Sequence, residues 1–310
     1  MTAHKVADKI IYKVRVPATS ANLGPGFDCL GLAVTRYLEV AATPAERDSF
    51  TYTGVGMVAD TPDNLTHQGF RAAFAALAQT PPPVAFTAHN TIPLARGLGS
   101  SSAALVAGAA LADAFLSGAL GRDGVFQLAA GLEGHPDNVA PAVYGGFTVS
   151  AKMSAKVSAK TGAPGYLCQA LPLPARWHLL FAVPAFELLT REARAVLPET
   201  YTRADAIFNA SRCALWTTAV ALDRPELLRA ASEDRLHEPY REPLIPGLGR
   251  CRAALLTAGA DAAFLSGAGP TLAAISTAEV VPQAILAVLK TFAGAGEVLE
   301  LRPGAGYTFF

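Results

Sequence analysis

Charge of either sign is scarce and balanced in this chain. Lys plus Arg number 25, Asp plus Glu also 25, and charged residues make up only 16%. No global field is left to draw the protein to nucleic acid or to an anionic membrane, so any anion site has to be built locally. Cysteine is sparse too. Cys29, Cys168, Cys213 and Cys251 lie far apart without a CxxC pair, a spacing that suits reduced thiols better than a disulfide frame or a zinc site. No apolar run reaches membrane-spanning length without a charge or proline; the run from Leu179 to Leu189 contains Pro184 and Glu187. Met1 to Val14 lacks the apolar core of a signal peptide. The expectation is a cytoplasmic protein with neither nucleic-acid nor membrane partners.

What is present is apolar bulk, 51% over 310 residues, enough for two packed units. Ala151 to Gly165 is poor in bulky apolar residues, and the boundary is expected there, giving units 1–165 and 166–310. The second half reads β-α-α-β-α-β, an α+β pattern. Its end, Gly304 to Phe310, reads as a tail.

The richest stretch is Pro93-Leu94-Ala95-Arg96-Gly97-Leu98-Gly99-Ser100-Ser101-Ser102-Ala103-Ala104, which feeds a run of small apolar residues to Leu116. Glycines let a backbone approach a ligand closely. The first-turn amides of a helix have no intrahelical partner and favour negative charge. A glycine turn at a helix start is therefore a phosphate cradle, with serines free for phosphate or Mg²⁺. The same serines could simply cap a core helix. The stretch is not a Walker A loop, since no Gly-Lys-Ser/Thr follows.

Three further clusters stand out. Pro17 to Asp28 is a turn-dense segment between strand-like runs, and it holds Asn22 and Asp28 on what reads as a rigid loop. Thr61-Pro62 has helix-start chemistry, with Thr61 as N-cap, Pro62 at the first helical position and Asn64 just beyond. Glu133-Gly134-His135-Pro136-Asp137-Asn138 places four hydrogen-bonding or ionisable side chains within six residues; Glu133 could bind Mg²⁺ or be a surface carboxylate. In the second half, Thr190 to Arg194 and His237 to Arg241 carry arginines, and Ser266-Gly267-Ala268-Gly269-Pro270-Thr271 is a glycine turn between apolar strands.

Taken in order, these stretches resemble the GHMP kinases. Pro93 to Ala103 matches that family's Pro-x-x-x-Gly-Leu-Gly-Ser-Ser-x-Ala motif without a gap, and Ser266 to Thr271 matches its C-terminal glycine motif. Val16 to Asp28, Glu133 to Pro141, Thr190 to Arg194 with Leu197-Pro198, and His237 to Arg241 with Leu244 to Pro246 are similar to the branch that acts on L-homoserine. The resemblance runs from about residue 14 to residue 271. It implies an α+β fold of two domains: an N-terminal ribosomal-protein-S5-domain-2-like unit with a left-handed β-α-β crossover, and a ferredoxin-like C-terminal unit.

It also implies ATP in the cleft between them, contacting Pro93 to Ala103, Gly267 and Gly269, with Asn64 toward the base. Mg²⁺ would be held by Ser101, with Ser100 as runner-up, and Glu133. Homoserine's carboxylate would fall to Arg194 and Arg241 and its ammonium to Asp28 with Asn22. His135 and Asn138 would lie near the reacting hydroxyl, and Thr190 near the γ-phosphate. Asp28 could take the hydroxyl proton, but the ammonium it would bind competes for it, so phosphoryl transfer without a dedicated base is expected. The Lys or Arg and Asp pair that other branches use for proton abstraction is not found, which favours the branch that acts on L-homoserine. A related kinase acting on another alcohol such as threonine, or a catalytically silent nucleotide-binding homologue, are the competing readings. A homodimer is compatible with all three.

Overall fold

The computed structural model describes residues 11–154 and 165–310. Much of the linker expected over 151–165 lies outside the described residues.

The first unit is built on two long strands. β1 (Tyr12–Asn22) and β2 (Gly26–Pro44) form a hairpin. β1 opens as the alternation of Lys13 to Val16 predicts, with Val14 and Val16 buried and Lys13 and Arg15 outward. The expected loop from Pro17 to Asp28 shrinks to the turn Leu23-Gly24-Pro25, because β1 runs on to Asn22 with a bulge at Pro17/Ala18. β3 (Ser49–Gly54) leads into α1 (Leu65–Ala76) and then β4 (Val84–Asn90), which is parallel to β3 and antiparallel to β2. α2 (Ser100–Phe115) follows, then α3 (Gly121–Glu133), α4 (Val139–Tyr144), β5 (Phe147–Lys152) and β6 (Tyr166–Leu171). α2 is apolar nearly all round, as a helix buried between α1, α3 and β1 must be.

The second unit is an antiparallel sheet of β7 (His178–Val183), β8 (Ala262–Leu265), β9 (Leu272–Ser276) and β10 (Glu297–Leu301), in the spatial order β10-β7-β9-β8. Numbered within the unit this is 4-1-3-2, the ferredoxin-like order that the resemblance implies. Between β7 and β8 run α5 (Thr190–Ala195), α6 (Arg203–Ala221), α7 (Leu228–Ala231), α8 (Glu238–Arg241) and α9 (Leu248–Thr257); α10 (Gln283–Ala293) joins β9 to β10.

Two crossings tie the units together. Tyr166–Leu171, which lies beyond the expected boundary, pairs with β5 in the first sheet. The C-terminal residues do not form a loose tail. Thr308–Phe309 is a strand, β11, on the outer edge of β1, with Val14 opposite Phe309, and Tyr307 is buried beneath it. Among the described residues no helix is long and apolar enough to cross a membrane.

Candidate active site

A cleft of about 320 Å³ opens where the two units meet. One wall is the start of α2. Gly97 (φ +75°) and Gly99 (φ +69°) both adopt left-handed backbone. A Cβ on Gly97 would come within 2.2 Å of the Ser266 carbonyl oxygen, and one on Gly99 within 1.9 Å of Thr19 Oγ1. Gly99 is the N-cap, and no side chain caps the helix. Serine capping, the plain structural alternative, is therefore not what these residues do. Ser101 Oγ donates to Glu133 Oε1 at 2.6 Å and Ser102 Oγ to the same oxygen at 3.0 Å. Ser100, the expected runner-up for metal, lines the cleft, while Ser102 is buried and makes the second bond to Glu133.

The Ser266–Thr271 turn locks against this loop. Ser266 Oγ donates to the Gly97 carbonyl at 2.7 Å and shares a hydrogen bond with Ser20 Oγ at 2.8 Å. Gly267 and Gly269 line the cleft beside it. The side chains of Leu98 and Ala103, residues expected along the nucleotide, are buried in the core and anchor the loop. Pro93 likewise is not among the cleft-lining residues, whereas Leu94 and Ala95 are. Arg96 lines the cleft with its guanidinium engaged by the Pro184, Leu94 and Ala185 carbonyls.

At the far end Leu38, Phe50, Tyr52, Val58 and Leu65 give an apolar floor. Asn64, not Thr61, is the N-cap of α1: its Oδ1 accepts from the Thr66 and His67 amides at 2.9 and 3.4 Å. Its oxygen is thus committed to its own helix, and it borders the apolar floor as a fixed element.

The opposite wall gathers charges from three elements. Asp28 (φ +56°) and Asn22 (φ +70°) sit in left-handed backbone, a conformation Asn and Asp tolerate better than most residues. Asn22 Oδ1 accepts from the Asp28 amide at 3.1 Å, and its Nδ2 donates to the Gly267 carbonyl at 2.9 Å. Asn22 therefore braces Asp28 against the glycine turn. Arg194, on α5, forks onto Asp28 at 2.5 and 3.2 Å. Burial would lower the Arg194 pKa, yet Asp28 outweighs it and holds it raised.

Arg241 is 1% exposed. Its Nε donates to the Ala193 carbonyl, and its Nη1 to the Gly267 carbonyl and to His237 Nδ1, all at 3.0 Å. Burial and the neighbouring Arg194 charge pull its pKa down to about 10. His237 in turn donates from Nε2 to the Gly24 carbonyl at 2.6 Å, and Asn209 Nδ2 donates to the Pro25 carbonyl at 3.0 Å. The turn that carries Asp28 is thus held from α6 and from the start of α8.

His135 and Asp137 are paired, Nδ1 to Oδ1 at 2.6 Å. Burial lowers the His135 pKa, but the hydrogen bond and charge of Asp137 prevail and raise it. Ligand atoms of Asp28, His135 and Asp137 all lie within 4.8 Å of one another. Asn138 Oδ1 accepts from Thr19 Oγ1 at 2.8 Å, and Thr190 opens α5 at the cleft. Asp137, Thr19, Ser20, Ser266 and His237 are the participants that the sequence reading gave no role. Each lies inside a stretch the sequence singles out: Asp137 two residues from His135 in the polar cluster, Thr19 and Ser20 in the turn-dense segment, His237 and Ser266 at the start of the second-half clusters.

With this geometry in hand, the chain matches the family descriptions "GHMP kinases N terminal domain" over residues 64–146 and "GHMP kinases C terminal" over residues 218–294. It is 51% identical over 297 residues to a homoserine kinase of Thermus thermophilus, covering 95% of this chain and 97% of that one. It is 44% identical over 263 residues to the homoserine kinase of Moorella thermoacetica, covering 84% and 86%. Among solved structures, the homoserine kinase from Cytophaga hutchinsonii superposes with a TM-score of 0.83 at 26% identity over 100% of both chains. The mevalonate kinase from L. major, at 14% identity over 97% of this chain and 99% of that one, shares the fold with a TM-score of 0.71.

Proposed function

This chain belongs to the GHMP kinase family, and on that premise we propose how its cleft transfers the γ-phosphoryl group of ATP to the side-chain hydroxyl of L-homoserine, giving O-phospho-L-homoserine. The observation that carries the reading is the meeting, in one cleft, of an uncapped helix start and a carboxylate–guanidinium pair matched to a zwitterion.

The ATP phosphates lie over Gly97 to Ser102, where the first-turn amides of α2 and its dipole meet negative charge. The purine occupies the apolar end near Phe50, Tyr52 and Leu65. Ser101 and Glu133 would hold Mg²⁺. Two hydroxyls converging on one carboxylate oxygen give the hard, all-oxygen donor set that this ion prefers, so the residues present fit it. When bound it would neutralise the negative charge of the ATP phosphates during transfer.

Homoserine enters by exchange. Its ammonium replaces Arg194 on Asp28 and its carboxylate replaces Asp28 on Arg194, so no charge is left unpaired. Arg241 gives Nε and Nη1 to three internal acceptors and lines the cleft, where its charge joins Arg194 in facing the carboxylate. His135 and Asn138 border the hydroxyl, and Thr190 the γ-phosphate. Neither acidic group is free to act as a strong base. Asp28 is neutralised by its partner in both states, and Asp137 biases His135 toward its protonated form. Positioning and charge neutralisation do the catalysis, which a loose phosphoryl-transfer transition state permits. On this reading the nucleotide unit extends through β6 and includes the returning β11, and residues 178–301 form the acceptor-side unit.

The test is a coupled ADP-release assay over a panel of alcohols. Homoserine should support turnover and mevalonate, which lacks an ammonium, should not. Turnover with threonine in preference to homoserine would transfer the reading to another acceptor, and binding of ATP without turnover of any alcohol would overturn it.

A further inference from the structure

Arg96 sits in the middle of the phosphate loop, where a cation would be expected to touch a phosphate. Its side chain is only 15% exposed and its fork reaches into the other unit. Nε donates to the Pro184 carbonyl at 3.0 Å and Nη2 to the Ala185 carbonyl at 2.6 Å. Nη1 donates to the Leu94 carbonyl at 3.1 Å and pairs with Glu187 Oε1 at 3.2 Å. The tie is returned by the Leu188 amide, which donates to the Ala95 carbonyl at 3.2 Å. Leu188 is itself seated in the second hydrophobic core with Ala193, Ile245 and Leu265.

The segment held in this way, residues 184–189, joins β7 to α5 and runs straight into Thr190 and Arg194. A guanidinium that serves three carbonyls and a carboxylate cannot move to a phosphate without stripping acceptors that bury poorly alone. We propose that Arg96 is a positioning residue: it sets α5 against the phosphate loop, so that nucleotide on the loop and homoserine at Arg194 strengthen each other's binding. The inference rests on the two-substrate reading of the cleft given above. By linkage the strengthening is reciprocal, whichever substrate binds first.

The experiment is calorimetric titration of homoserine with and without a saturating non-hydrolysable ATP analogue, and the reverse titration, for the wild type, Arg96→Gln, Arg96→Lys and Glu187→Gln. The wild type should bind homoserine at least about fivefold more tightly with the analogue present, the lower end of ordinary coupling. Both Arg96 variants should bring that ratio close to one while the affinity for the analogue alone changes less than about threefold. Arg96→Lys keeps the charge and loses the fork, so its failure to couple assigns the effect to geometry. Glu187→Gln removes one of the tie points and should reduce the ratio partway; it decides the matter by itself if the Arg96 variants do not fold. The proposal is overturned if the wild type shows no coupling, if the variants keep it, or if Arg96→Gln weakens the analogue alone more than tenfold, which would make Arg96 a phosphate ligand. Wild-type protein that binds no homoserine under either condition would instead overturn the acceptor reading, a distinct outcome.

Discussion

The phosphate wall leaves its donors uncovered: α2 starts at Gly99 with no capping side chain, and Ser101 and Ser102 turn to Glu133 instead of back over the helix end. The acceptor wall pairs its main charges, with Asp28 against Arg194 and Arg241 donating to His237, Gly267 and Ala193. Between them α1 begins at Asn64, whose side chain satisfies its own first-turn amides. The contrast follows from cost. An uncapped helix start costs about 1 kcal/mol, which a protein of this size tolerates, and it leaves amides ready for an anion. A half-buried carboxylate and guanidinium left apart would cost several times more, so they hold each other until a zwitterion can take both places.

The largest expected effect comes from closing the open wall. Gly99→Ala puts a methyl group where Thr19 Oγ1 stands 1.9 Å away, on backbone that alanine adopts only with strain. The loop must shift by about an ångström, so kcat/KM for ATP should fall by roughly 10² or more. Steady-state kinetics, with a thermal melt to confirm folding, measure it. Normal ATP kinetics would show that the uncapped start is not where phosphate binds.

Next in size is an asymmetry introduced into the closed wall. Asp28→Asn leaves Arg194 without its partner and removes the anion proposed for the ammonium. One lost charge-assisted bond is worth about 2 kcal/mol, so KM for homoserine should rise about 30-fold while kcat stays within a few-fold. The opposite split, unchanged KM with turnover lost by several orders of magnitude, would make Asp28 a general base and end the base-free mechanism.

The two walls also differ in how far the chain itself announces them. Every piece of the phosphate wall except Glu133 and the facing glycine turn lies within one contiguous stretch, and local chemistry suffices to read it: glycines, then hydroxyls, then an apolar helix. The acceptor wall joins Asp28 and Arg194 across 166 positions of sequence. The resemblance put both near the substrate, but nothing local says that they face each other, or that Arg241 ties His237 and two backbone carbonyls. Smaller misreadings have similar causes. Thr61-Pro62 carries the stronger helix-start signature, yet those residues form a turn and the later Asn64 does the capping. β11 is two residues long and gains its order from pairing with the far end of the chain, which no short window reveals.

The smallest effect bears on stability and asks whether the closed wall is closed at all pH values. His237 is fully buried, accepts from Arg241 through Nδ1 and donates to Gly24 through Nε2, so its ring must be neutral. Burial dominates and the Arg241 charge adds to it, pushing the pKa down to about 4 against the pull of Asp234. The value in the unfolded chain is near 6.5. Between those two values the unfolded chain binds a proton that the native one refuses. The stability from the neutral ring is therefore fully present above pH 6.5 and is lost progressively as pH falls toward 4. Glu238, buried and pushed up to about 7, contributes with the opposite sign over much of the same range, so the His237 part is read as the difference in unfolding midpoint between the wild type and a His237 variant. His237→Gln, which keeps an acceptor for Arg241 and a donor for Gly24, should lower the midpoint at neutral pH and lose less of it than the wild type as pH falls from 6.5 to 4. An unchanged slope in the variant between pH 6.5 and 4 would mean that His237 does not gate the acceptor wall.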